Sequence, residues 1–196
     1  VSEALIGGGV GGVLAAAVAH VVTSLFDKAG HSAAWLQGRY GPPFFNVALF
    51  MGVFYGGIAF SLSRRKSDAA VGALGPLLGI ALPMAFLTHM LSIPEGARGI
   101  IPGSPSPWVD IVTLIFVAAV WGTVTALGWR LGGGWRGALG AVLGSFAGYL
   151  ILSGAAYATP ALMRWPVPLH DYLPTPAVLF DGLLTGAGIG AGALLF

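Results

Sequence analysis

Long apolar stretches dominate the chain, and the breaks between them are of two kinds. One is short and basic, as in SRRKS at 63–67 and WRLGGGWRG at 129–137; the other is longer and rich in proline, as in SIPEGARGIIPGSPSP at 92–107. A hydrocarbon core roughly 30 Å thick takes about 20 apolar residues of helix to cross, and the stretches have that length. The pattern predicts helices over 2–26, 44–63, 69–93, 108–129, 134–157 and 176–196. The expected fold is therefore all-α: a polytopic membrane protein in which residues 1–196 form a single transmembrane domain.

Composition strengthens that reading. Of the 196 residues 56% are hydrophobic and 8% charged, with a mean hydropathy of +0.86, which excludes a water-soluble domain. The opening VSEALIGGG carries no basic segment, so the first stretch reads as a retained helix and not as a cleaved signal peptide. With no cysteine, disulfides, cysteine-ligated iron-sulfur clusters, Cys-zinc sites and c-type haem attachment are excluded. A net charge of +2, scattered along the chain, gives no nucleic-acid footprint.

The placement of the charges is more informative than their sum. Arg64, Arg65, Lys66, Arg130 and Arg136 crowd the short turns, whereas Lys28, Arg39, Arg98 and Arg164 are spread over the long connections. The positive-inside rule then sets the short turns and both termini on the cytoplasmic side of a bacterial inner membrane, with the long connections periplasmic or external.

Shifting the sequence by 65 residues lays Val47 on Val112, Leu49 on Leu114, Gly57 on Gly122 and Arg65 on Arg130. The run Gly72-Ala73-Leu74-Gly75 then meets Gly137-Ala138-Leu139-Gly140, and Leu78-Gly79 meets Leu143-Gly144. The same shift lays Ser2-Glu3 on Ser67-Asp68 and Gly7 on Gly72. The repeating unit is a hairpin: a glycine-rich helix, a long connection and a returning helix, in units of about 2–63, 67–129 and 132–196. Each unit crosses twice, so all three face the same way, and the expectation is a pseudo-threefold bundle of six helices.

Glycines four apart explain how such helices associate. Lipid tails are as apolar as leucine, so helix contact in a bilayer depends on close backbone approach, as in GxxxG packing. Gly7/Gly11, Gly8/Gly12, Gly75/Gly79, Gly140/Gly144/Gly148 and Gly186/Gly190 supply it. Most lie on the odd-numbered spans, which are expected to meet at the axis in a dry, tightly packed centre without a wide pore. Pro76 and Pro83 should kink the third span. Ser2-Glu3 and Ser67-Asp68 read as helix-start caps. Trp35, Trp108, Trp129, Trp135 and Trp165 read as interface rings without a binding role.

Polar residues inside the spans collect toward the outer side, where an ionisable group in a membrane helix is a functional candidate. The candidate site comprises His20, His89, Asp110, Asp181, His170 and Arg164, joined by Asn46, Thr23, Thr88, Ser153 and Tyr157 in a polar vestibule over a dry floor. Asp181 is the acid expected deepest in the membrane, either a structural helix-start acid or one member of a proton-sensitive pair with His170, His20 or Arg164; Asp110 reads as a first-turn acid. Less the repeat offset, His20 and His89 differ by four positions, or about 6 Å of depth, a poor match for axial haem ligands. No P-loop, nucleophile elbow, metalloprotease helix or paired-carboxylate motif is present, so neither catalytic residue nor metal site is expected and the chain does not read as an enzyme. No cofactor is predicted, although the bundle leaves room for a bound lipid, pigment or haem.

The stretch His89-Met90-Leu91-Ser92-Ile93-Pro94, preceded by the glycine helix of Ala70-Val71-Gly72-Ala73-Leu74 and followed by a proline-rich segment ending at Trp108, resembles the YagU-like family of uncharacterised bacterial inner-membrane proteins. The resemblance covers the middle third of the chain and implies a helical inner-membrane protein, some family members being linked to acid tolerance. DIVTLIFVAAVWG at 110–122 lacks the acidic and histidine-bearing pattern of the family's later helix, so no functional residue is carried over.

Two functions follow from these features. The first is an accessory or scaffold subunit packed among other integral membrane subunits and lipids in a larger complex, possible in an energy-converting assembly, as suggested by a dry centre, packing glycines and apolar connections suited to docking. The second is a narrow channel or transporter for a small neutral solute or protons, as suggested by the repeats, the proline kinks and the outer polar residues.

Overall fold

The computed structural model describes residues 2–28, 44–90, 97–100, 106–159 and 174–195, without the side chains of 26–28, 44, 45, 88 and 89. The helices are α1 (Ser2–Lys28), α2 (Phe44–Ser63), α3 (Lys66–Pro76), α4 (Leu82–Met90), α5 (Pro107–Gly132), α6 (Trp135–Ala158) and α7 (Pro176–Leu195). A π-helical segment, Leu77–Ala81, joins α3 to α4, and the three together make the third span. Six spans are long and apolar enough to cross a bilayer, and no strand occurs among the described residues. The chain is an all-α polytopic membrane protein.

Local chemistry accounts for the helix ends. Ser106 caps α5, its hydroxyl accepting from the Val109 N–H at 3.4 Å, and Pro107 takes the first helical position, where a missing N–H is no loss. Gly133, at φ 71°, closes the other end of α5 in the left-handed conformation, and Gly134 at φ 124° completes the turn into α6. In the third span, Pro83 cannot donate to the Gly79 carbonyl one turn earlier, and the widened π turn lies directly before it. The disturbance expected from proline takes the form of a π bulge, which relieves the clash between ring and preceding carbonyl.

Around the bundle each span neighbours the next: α1 packs on α2, α2 on α3, α3 on α5, α5 on α6, α6 on α7, and α7 returns to α1. Across the middle, α2, α5 and α7 touch one another. The odd-numbered spans therefore do not meet at the axis. Among the described residues α1, α3 and α6 make at most marginal contact with one another, and contact across the bundle is made by α2, α5 and α7.

Glycine placement gives the reason. Gly8 and Gly12 of α1 lie against the Gly186 and Gly182 carbonyls of α7, with Gly190 against Ala4. On the far side of α7, Gly188 and Gly192 lie against Gly144 and Gly140 of α6. Gly186 and Gly188 are two residues apart, about 200° around a helix, so α7 carries a glycine face for each neighbour. Gly75 and Gly79 meet Thr123 and Ala119 of α5, and Gly11 meets Ser61 of α2, whose hydroxyl donates to the Gly7 carbonyl at 2.8 Å. The small residues of the odd spans thus seat the central helices and do not pair with one another.

At the end where both termini and the short turns gather, Asp68 is buried and pairs with Arg130 Nε at 2.5 Å, while an Arg130 terminal nitrogen donates to Ser67 at 3.3 Å. The expected capping role of Ser67-Asp68 is corrected: Arg65 occupies the N-cap without a side-chain bond, and Asp68 ties α3 to the end of α5. Below mid-membrane, Ile58, Ala59, Val124, Leu127, Ala141 and Ile189 form a fully buried apolar layer from α2, α5, α6 and α7. A second cluster, Ala48, Ile80, Met84 and Trp108, joins α2, the third span and α5. Trp108 is buried there, unlike an interface ring, whereas Trp129 and Trp135 are exposed; Trp35 and Trp165 lie outside the described residues.

Candidate functional site

A cavity of about 660 Å³ lies between α2, α5, α6 and α7. Its walls are largely aromatic and aliphatic: Met51 and Phe54 from α2, Phe116, Val117, Val120 and Trp121 from α5, Phe146, Tyr149 and Leu152 from α6, Ala177 and Val178 from α7. Its polar groups are Tyr55, Ser145, Asp181 and Thr185.

Depth follows from helix position. Thr185 is near the middle of the 20-residue α7, Tyr55 just past the middle of the 20-residue α2, and Ser145 near the middle of the 24-residue α6. Asp181 stands about 8 Å along the axis from Pro176. The cavity therefore runs from the level of Ala177, in the first turn of α7, down to a polar floor at mid-membrane. Beneath that floor lies the buried apolar layer.

Each polar side chain reaches the cavity because small residues share its helix. Asp181 and Thr185 are one turn apart on α7, flanked by the glycines that seat α1 and α6. The Thr185 hydroxyl donates to Asp181 Oδ1 at 3.1 Å, which occupies one acceptor position and leaves others open to the cavity. Asp181 and Tyr55 are close enough to interact electrostatically. Phe54 and Tyr55 meet edge to face at 5.1 Å, and Trp121 lies 6.4 Å from Phe146, so the aromatic wall is braced by ring contacts.

Among the described residues, the expected outer vestibule does not gather around one cavity. Asp181 lines the cavity; His20 and Asp110 do not. His20, near the far end of α1, has its Nε2 buried without a hydrogen-bond partner. Asp110, in the first turn of α5, is buried and accepts from the Ile100 N–H, which ties the preceding segment to the helix. His89 belongs to α4, but its side chain lies outside the described residues, as do His170 and Arg164. Asp181 bonds to Thr185 and to no imidazole or guanidinium among the described residues. No three of the described His, Asp or Glu side chains gather as a metal site requires.

Sequence reasoning missed Tyr55, Trp121, Ser145 and Thr185. A signal for the last existed: Asp181 and Thr185 are spaced i, i+4 on one face of a glycine-rich helix. No such signal marked Tyr55 and Ser145, which join the site only through the packing of α2 and α6 around α7.

The fold and cleft define a class: a six-span helical membrane protein with a mostly apolar cleft among α2, α5, α6 and α7, open at the exposed Val117, Phe146 and Tyr149 and with a polar floor. No protein-family model, curated protein or solved structure matches the chain.

Proposed function

We propose that the protein is a transporter whose substrate site is the central cleft. One observation carries the reading: polar groups at mid-membrane face a cavity on one side and a closed apolar layer on the other. A cavity of about 660 Å³ suits a small molecule, and binding sites of this kind are mostly apolar with a few placed polar groups. Repeat-built transporters put their sites near the midplane. The central positions of α2, α5 and α7, one from each proposed hairpin, support the threefold repeat and a site at its axis. The π bulge in the third span provides a place where the helix can bend. The accessory-subunit reading keeps its support in the packing glycines.

A transporter exposes its site to each side in turn. The chain has no cysteine, so Thr185→Cys is a clean probe. In vesicles of one orientation, an impermeant thiol reagent added to either side should modify Thr185→Cys and leave Ile189→Cys, in the closed layer, untouched. Modification from one side only would remove alternating access from the proposal.

The short basic turns support a cytoplasmic position for both termini. In intact expressing cells, Arg98→Cys should react with an impermeant maleimide, and Lys66→Cys only after permeabilisation. The reverse pattern would invert the orientation.

A further inference from the structure

We infer that the cleft's substrate is a lipophilic organic cation, held by Asp181 and an aromatic cage. The inference rests on the cleft being the substrate site and specifies the charge of what enters it. Six aromatic side chains line the cavity: Phe54, Tyr55, Phe116, Trp121, Phe146 and Tyr149. Each ring presents a negative face, and cations within about 6 Å of a ring centre are attracted to it, most strongly by tryptophan. Among the described residues, Asp181 is the one acid in the lining, and no lysine, arginine or histidine accompanies it there. The remaining polar groups, Tyr55, Ser145 and Thr185, are uncharged hydroxyls.

An acid within a membrane span needs a partner, because the hydrocarbon around it solvates charge poorly. Most acids in spans find an arginine, lysine or histidine. Asp68 does so with Arg130 at the other end of the bundle, whereas Asp181 has only the Thr185 hydroxyl among the described residues. A cationic ligand would supply the counter-ion that the described residues lack. An anion would meet the carboxylate and no positive side chain among the described lining residues. A neutral apolar molecule would fill the walls and leave the carboxylate unanswered. A cation with an apolar body satisfies both the walls and the acid.

The test uses purified full-length protein in an uncharged detergent, with equilibrium dialysis of tetraphenylphosphonium and of uncharged triphenylphosphine oxide. Tetraphenylphosphonium should bind saturably. Asp181→Asn should weaken it by about tenfold or more, the scale expected when one member of a poorly solvated charge pair is removed. Asp181→Glu should restore most of the binding, and Trp121→Ala should weaken it by about three- to tenfold. The phosphine oxide should bind the wild type and Asp181→Asn alike. If the two probes bind equally and Asp181→Asn changes neither, the charge inference falls while the cleft stands as a binding site. If neither probe binds the wild type saturably, both the inference and the substrate role of the cleft are overturned.

Discussion

Gly12→Leu and Gly186→Leu should each destabilise the bundle by about 3 kcal/mol or more, at or above the upper end of the usual cost of overpacking a close-packed interior. A Cβ at Gly12 would run into the Gly182 carbonyl, and one at Gly186 into the Gly8 carbonyl. Both obstacles are backbone, so no side chain can rotate away and the helices themselves must part. The loss extends beyond one pair, because α7 also seats α6 through Gly188 and Gly192 and lines the cleft through Asp181 and Thr185. Gly122→Ala is the matched contrast. Nothing lies within 4 Å of a Cβ at that position, and the change should stay within about 0.5 kcal/mol of wild type. Unfolding in mixed micelles of mild detergent and dodecyl sulfate, followed by circular dichroism, measures all three. Wild-type midpoints for both leucine variants would show that α1 and α7 are not held by backbone contact.

Arg130→Ala should have the next largest effect, and an asymmetric one. It leaves the Asp68 carboxylate, whose side chain is 4% exposed, without its ion-pair partner and with only the charge of Arg65 nearby. Breaking a fully buried pair costs about 3–5 kcal/mol. Because the Arg130 side chain is 42% exposed, water screens part of the interaction, and about 1–3 kcal/mol is the appropriate scale. Asp68→Asn should cost less, since it leaves behind an arginine that can turn to solvent. The double variant should be more stable than the sum of the two singles implies. A double-mutant cycle in the same micelles reads this coupling directly. Strict additivity, or a larger loss for Asp68→Asn than for Arg130→Ala, would contradict an ion pair that joins α3 to α5.

Much of the architecture was legible because bilayer physics is one-dimensional. A span is a matter of length and hydropathy, and the six expected spans lie close to the helices found, from 134–157 against Trp135–Ala158 to 108–129 against Pro107–Gly132. The turn at LGGGWRG and the bend near Pro83 were equally local, set by residues that permit φ > 0 or lack an N–H. Glycine spacing marked Gly8/Gly12 and Gly140/Gly144 as contact surfaces, but not their shared partner. Gly182, Gly188 and Gly192, on the helix with the weakest internal match, were passed over, and that helix holds α1 and α6 together.

The candidate site was legible in one residue. Asp181 stood out because an acid in an apolar run is rare and costly. Grouping polar residues by depth alone, as with His20 and Asp110, fails because depth fixes a position along the membrane normal and leaves the angle around each helix open. That angle, set by which small residues let which neighbours approach, turned Tyr55, Ser145 and Thr185 toward Asp181 and turned Asp68 toward Arg130. Solvent class, span number and the kinked third span are properties of consecutive residues interacting with lipid. The contacts among α2, α5 and α7, the cleft and the gathering of Asp181, Thr185, Tyr55 and Ser145 in its lining are properties of backbones in contact across the bundle, which no linear pattern of hydropathy encodes.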